Sequence, residues 1–177
     1  MKVPNLLLIA GTGNKSGKTT MACRIIEQFS KSDIIGVKIT PHFHETTPGL
    51  VLLSDRQGYS IYKETDREAD KDSSRMLRSG AAMVFFAKVT DNYLLASFSE
   101  IMEFIPPGTP VVCESPSLRY FTDPGLFVIM ESDNSHNKKD IKALCDLPHV
   151  MFHLSDLISL TSLPFDFAGG KWIEKKQ

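Results

Sequence analysis

Near the start of the chain, Gly11-Thr12-Gly13-Asn14-Lys15-Ser16-Gly17-Lys18-Thr19-Thr20 combines the residue types that hold a polyphosphate. Glycines let the backbone curl so that successive N–H groups face one point. A helix N-terminus behind them adds partial positive charge. In this reading, residues Gly13, Asn14, Lys15, Ser16, Gly17, Lys18, Thr19 and Thr20 cradle the phosphates. Lys18 reaches the terminal phosphates and Thr19 offers its hydroxyl to Mg²⁺. The spacing departs from the common pattern at one place. Thr12 stands five residues before Gly17, where glycine is usual, and the glycines are Gly11 and Gly13.

A phosphate loop needs a carboxylate beside its metal. Glu114 directly follows the apolar run Val111-Val112-Cys113, which places it at the carboxyl end of a strand, facing the loop. Asp72 lies at a helix start in Asp70-Lys71-Asp72-Ser73-Ser74-Arg75, where a capping role competes with a ligand role. On residue chemistry Thr19 and Glu114 are the expected metal ligands, with Asp72 a second carboxylate candidate that could equally be a cap; the expected catalytic set is Lys18, Lys38 and Glu114. Lys38 lies near the end of an apolar strand, so it could bind a second anion. His42 and His44 follow it and could bind a metal or phosphate, although a pair with no third ligand argues against a metal site. Asn137-Lys138-Lys139-Asp140 matches a guanine-reading signature. It falls six residues (131–136) beyond the preceding apolar run, so Asp140 could equally open a helix. Cys23 and Cys113 read as core fillers, and no C-x-x-C pair is present.

The elements that must position these groups alternate. Residues 6–10 form a fully apolar run, and Met21, Ala22, Ile25, Ile26 and Phe29 give the next segment a helical stripe. Strands are expected at 34–39, 82–87, 111–113, 126–130 and 150–154. Helices are expected at 71–79, 94–105 and 140–145. Residues 50–53 and 59–62 flank Ser54-Asp55-Arg56-Gln57-Gly58 and read as a hairpin inserted beside the main sheet. The fold class is therefore α/β, with a mostly parallel sheet covered by helices on both faces and ligands at the carboxyl ends of its strands. The 177 residues suit one domain, 1–177. A net charge of −1 gives no basic surface for nucleic acid. The first apolar run is too short for a signal peptide or a membrane span, so a cytoplasmic protein is expected.

Over nearly its whole length the chain resembles the MobB family, accessory nucleotide-binding proteins of molybdopterin guanine dinucleotide synthesis. The similarity rests on Gly17-Lys18-Thr19-Thr20 after the first strand, on Lys38 with nearby His42 and His44, and on Asp70-Lys71-Asp72-Ser73-Ser74-Arg75 followed by Ser79-Gly80-Ala81. It continues through Glu114 to the tail Leu163-Pro164-Phe165-Asp166. Ser115 stands where that family has glycine. The spacing Gly11-Thr12…Gly17-Lys18-Thr19 is also similar to dethiobiotin synthetase, whose loop Thr, helix Asp and strand-end Glu match Thr19, Asp72 and Glu114. These resemblances imply a P-loop NTPase fold, GTP or ATP with Mg²⁺, and a possible homodimer. MobB similarity further implies slow or partner-dependent hydrolysis and a partner enzyme of molybdenum cofactor biosynthesis. The alternatives are an ATP-dependent ligase or kinase acting on a small acceptor, and a degenerate, non-hydrolysing scaffold. Arg75 and Arg119 are the arginines near the candidate motifs.

Overall fold

The computed structural model describes residues 1–13, 15–43, 45–132 and 141–175. Strand β1 (Lys2–Gly11) leads through the glycine-rich loop into helix α1 (Lys18–Gln28) and strand β2 (Ile35–Thr40). A hairpin of β3 (Leu50–Arg56) and β4 (Tyr59–Glu64) precedes α2 (Asp72–Arg78) and β5 (Met83–Val89). Next come α3 (Leu94–Glu103), β6 (Val111–Glu114), β7 (Asp123–Glu131) and α4 (Lys142–Cys145). The chain continues through β8 (Val150–His153), α5 (Leu154–Ser159) and a second hairpin, β9 (Phe165–Ala168) with β10 (Lys171–Glu174).

Eight strands make one sheet in the order β3-β4-β5-β2-β6-β1-β7-β8. The six strands from β5 to β8 in that order are parallel, and the first hairpin adds two antiparallel strands. Because side chains alternate along a strand, β1 feeds two cores. Leu6, Leu8 and Ala10 join one cluster, with Phe98 and Ile101 of α3 and Leu144 of α4. Leu7 and Ile9 join the other, with Ile25 and Ile26 of α1, Met76 of α2 and Leu157 of α5. Helices thus cover both faces, as the apolar runs imply.

Two expectations need correction. The first hairpin is not beside the sheet but part of it, since β4 pairs along β5 from Tyr59↔Val89 to Lys63↔Phe85. Tyr59 and Ile61 of its inner face enter the core under α3, which fixes this register. Strand β7 starts earlier than its apolar run, at Asp123, because it stays paired to β1 back to Lys2 across a register shift. Helix α5 and the C-terminal hairpin were not anticipated. Gly169 and Gly170, both at positive φ, form the turn between β9 and β10. Paired glycines between short apolar runs are a readable hairpin signal.

The C-terminal hairpin is bound to the start of the chain. Trp172 is 1% exposed, its Nε1 donates to the Asn5 carbonyl at 2.9 Å, and its ring meets Phe29 and Phe167 edge-on. Trp172→Ala should cost about 3–5 kcal/mol of stability, and Trp172→Phe clearly less. Urea unfolding monitored by circular dichroism reads both, and equal losses would assign the effect to the hydrogen bond rather than to packing.

Candidate functional site

All the parallel strands point the same way, so their carboxyl ends share one edge of the sheet. There β1 ends at Gly11, β2 at Thr40 and β6 at Glu114. Strand register does the rest. Lys38 lies directly opposite Glu114 across β2 and β6, and Glu114 opposite Ile9 across β6 and β1. The alternation that sends Val37, Ile39 and Cys113 to one core turns Lys38 and Glu114 to the other face, the one carrying α1 and α2. The first turns of those helices bring Thr19 and Asp72 to the same point.

The contacts are short. Lys38 Nζ lies 2.6 Å from Glu114 Oε1 and 2.7 Å from Asp72 Oδ2. Thr19 Oγ1 donates to Glu114 Oε2 at 2.9 Å. The Glu114 side chain is 3% exposed, that of Lys38 16% and that of Asp72 40%. Burial by itself pulls the Lys38 pKa down, but the Glu114 and Asp72 carboxylates outweigh it and hold the ammonium above its ordinary range. Burial by itself raises Asp72, but the Lys38 charge and the Lys38 hydrogen bond hold its carboxyl below the usual range. Lys38, expected to bind an anion, is thus held by two carboxylates.

The loop before α1 is closely built. Gly17 has φ 90°, a left-handed conformation, and a Cβ there would also press on Leu154. Lys15 takes φ 59° without being glycine, a conformation that costs about 1–2 kcal/mol. A Cβ at Gly11 would overlap Ser16 Oγ, so the glycine displaced from the common pattern has its own steric reason. Thr12 has a different task. Its backbone N–H donates to the Met130 carbonyl, and its hydroxyl accepts from the Ser132 N–H at 2.8 Å, which ties the loop to the end of β7. Lys18 folds over the loop, donating to the Gly13 carbonyl at 2.9 Å and to Ser16 Oγ at 3.3 Å.

A cavity of about 580 Å³ opens here. Lys15, Ser16, Gly17, Lys18, Thr19 and Thr20 line it together with Lys38, Asp72 and Glu114. The lining also includes Thr40, His42, Arg75, Asp91 and Ser117. Sequence reasoning missed Asp91 and Leu154 as lining residues, since nothing in their local patterns marks them. Arg119 does not line the cavity. It donates to the Thr122 carbonyl at 2.7 Å and lies over the Phe127 ring. Cys23 and Cys113 are buried and unpaired, and burial pushes both thiols up. Asn14, His44 and Asn137-Lys138-Lys139-Asp140 fall outside the described residues.

Behind the cluster stands a second polar group. The Glu64 side chain is fully buried. It accepts from Ser73 Oγ at 2.6 Å and from the Thr65 and Asp66 N–H groups, and it pairs with Lys71 at 3.1 Å. Lys71 also donates to Thr47 Oγ1 and the Pro48 carbonyl. Lys71 and Ser73 flank Asp72, so Glu64 fixes the helix turn that presents it. No periodic signal marks Glu64, which closes β4.

Among the described residues, no three His, Cys, Asp or Glu side chains cluster closely enough to hold a metal alone. The donors are the Asp72 and Glu114 carboxylates with the Thr19 hydroxyl. That set suits Mg²⁺, which takes one or two carboxylates and completes its shell with water and phosphate oxygens. No helix among the described residues is long and apolar enough to cross a membrane. Fold and site together define an α/β protein with a mostly parallel sheet and a polar, carboxylate-bearing cavity at the carboxyl edge of its strands. Comparisons with protein-family models, curated proteins and solved structures find no match.

The charge cluster makes stability depend on pH. The lowered Asp72 pKa means that its contribution is complete above the usual aspartate range and is lost as pH falls through its folded value. The raised Lys38 pKa means that its contribution is complete below the usual lysine range and is lost only at more alkaline pH. Asp72→Asn should therefore lower stability by a nearly constant amount from about pH 6 to 9, and the gap to wild type should begin to narrow near about pH 4 and go on narrowing as pH falls through the lowered folded value. Urea midpoints across that range check this; a gap that does not narrow at all as pH falls below the usual aspartate range would assign the loss to packing.

Proposed function

We propose that this chain is a Mg²⁺-dependent nucleotide-binding protein of the P-loop type, taking GTP or ATP. The observation that carries the reading is the meeting of Thr19, Asp72 and Glu114 at the start of the helix behind the glycine-rich loop. Its residues come from two helices and a strand, up to 95 positions apart; Thr19 and Glu114 are expected from residue chemistry, and Asp72 gains its place from the resemblance to dethiobiotin synthetase. Residues Gly13 to Thr20 hold the phosphates, Lys18 neutralises the terminal ones, and Thr19, Asp72 and Glu114 hold Mg²⁺, directly or through water. Bound Mg²⁺ supplies charge neutralisation at the phosphates.

Resemblance to MobB supports an accessory role in molybdenum cofactor biosynthesis, with slow hydrolysis completed by a partner enzyme. A second reading, transfer of a phosphoryl group to a small acceptor, draws support from the cavity itself. Its lining includes Thr40, Arg75 and Ser117 besides the loop and Lys38. Association as a homodimer is supported by β3, one of the two edge strands, where Val51 and Leu52 are about half exposed.

Lys18→Ala should weaken nucleotide binding by about 2–5 kcal/mol, a loss of roughly 30-fold or more. Glu114→Gln should leave Mg²⁺-free binding nearly intact and cut the gain from Mg²⁺ by about tenfold or more. Calorimetry with GTP and ATP, with and without Mg²⁺, reads both; tight binding by Lys18→Ala would remove the loop from the site. Leu52→Lys should turn a dimer into a monomer in sedimentation velocity, and a wild type that is monomeric at all concentrations would remove the edge from the reading.

A further inference from the structure

The position of Lys38 has a consequence for metal entry. The cation's donors are the Asp72 and Glu114 carboxylates and the Thr19 hydroxyl. Lys38 Nζ already touches both carboxylates, at 2.7 Å and 2.6 Å. A magnesium ion sits about 2.0–2.1 Å from each oxygen it ligates directly and usually keeps several of its waters. An ion engaging both carboxylates, directly or through those waters, needs the space and the negative charge that the ammonium now uses. Two cations cannot share that space, both by contact distance and by like-charge repulsion in a half-dry site.

Lys38 cannot leave freely. Its backbone lies inside the sheet, paired to β5 through Phe86 and to β6 through Glu114, so only the end of the side chain can swing. The side chain is 16% exposed, and an ammonium moved off both carboxylates without a new anion is costly at that depth. The same cavity is lined by Lys38 and by the loop from Lys15 to Thr20. A polyphosphate held by that loop is the anion within reach of the tethered ammonium.

We propose that Lys38 is a built-in competitor for the divalent cation, displaced only when a polyphosphate arrives to receive it. The inference rests on the nucleotide reading above and adds a rule to it: metal and nucleotide bind together or poorly. Linkage makes the effect reciprocal, so each strengthens the other by one common factor.

The probe is Mn²⁺ without nucleotide, titrated into the full chain and followed by electron paramagnetic resonance. Wild type, Lys38→Arg and Lys38→Gln are compared, and MnATP or MnGTP binding is measured separately. Wild type and Lys38→Arg should take up Mn²⁺ weakly. Lys38→Gln should bind it between about 5- and 150-fold more tightly, the ordinary range of coupling between sites. If wild type binds Mn²⁺ as tightly as Lys38→Gln while still binding the metal–nucleotide complex, the competitor role is wrong and the nucleotide site stands. If neither nucleotide complex binds wild type and Mn²⁺ binds no variant, the nucleotide reading itself is wrong. Wild type alone carries a second test should Lys38→Gln not fold. Mg²⁺ and ATP or GTP together should raise its Tm by more than the sum of their separate effects; simple additivity overturns the proposal.

Discussion

A single ammonium group, that of Lys38, holds the end of strand β6 and the first turn of helix α2 in one place. Its partners are two carboxylates, one nearly buried and one half-exposed. Placed together without a cation, Asp72 and Glu114 would repel each other, and Glu114 would be a desolvated charge with a hydroxyl for company. With the cation, α2 can lie against the sheet close to α1, and the glycine-rich loop gains its carboxylate wall. The arrangement is electrostatic in origin and steric in precision, since strand register puts Lys38 directly opposite Glu114.

Around this centre the polar groups are arranged as braces. Thr12 ties the loop to β7 through Ser132, and Glu64 ties the turn of α2 to the base of the hairpin through Ser73 and Lys71. Each brace is buried and hydrogen-bonded, the condition under which polar groups are tolerated in a core. The site is therefore held from behind on two sides, while its open side faces the cavity. Lys15 is the exception, a side-chain-bearing residue in a left-handed conformation at the mouth, and strain of this kind persists only where surrounding structure enforces it.

Much of this was legible in the sequence. The apolar run of β1 and the stripe of α1 are strong periodic signals, and they fix where the loop sits. Glu114 was readable because a charged residue ending a short apolar run must lie at a strand's edge. Asp72 was ambiguous alone, because aspartate at a helix start is also a cap; its pairing with Lys38 depends on tertiary position. The partner of Lys38 could not be read, since it follows from strand order, and the order β5-β2-β6-β1 is not written in local periodicity. Helix α5 is short and follows β8 without a break, so no change of period announces it.

The parallel register of β1, β2 and β6 also says when the site can exist. Thr19 and Glu114 are 95 residues apart, Lys38 and Glu114 76, and strand β1 reaches its two neighbours only through long crossovers. Such pairings close late, because loop entropy must be overcome before any contact rewards it. The loop and α1 can form locally, but the carboxylate wall cannot. A folding chain therefore lacks the contact of Lys38 with Glu114 until β6 is inserted between β2 and β1. The cluster is in this sense a reporter of topology, absent from any species in which the central strands are out of order.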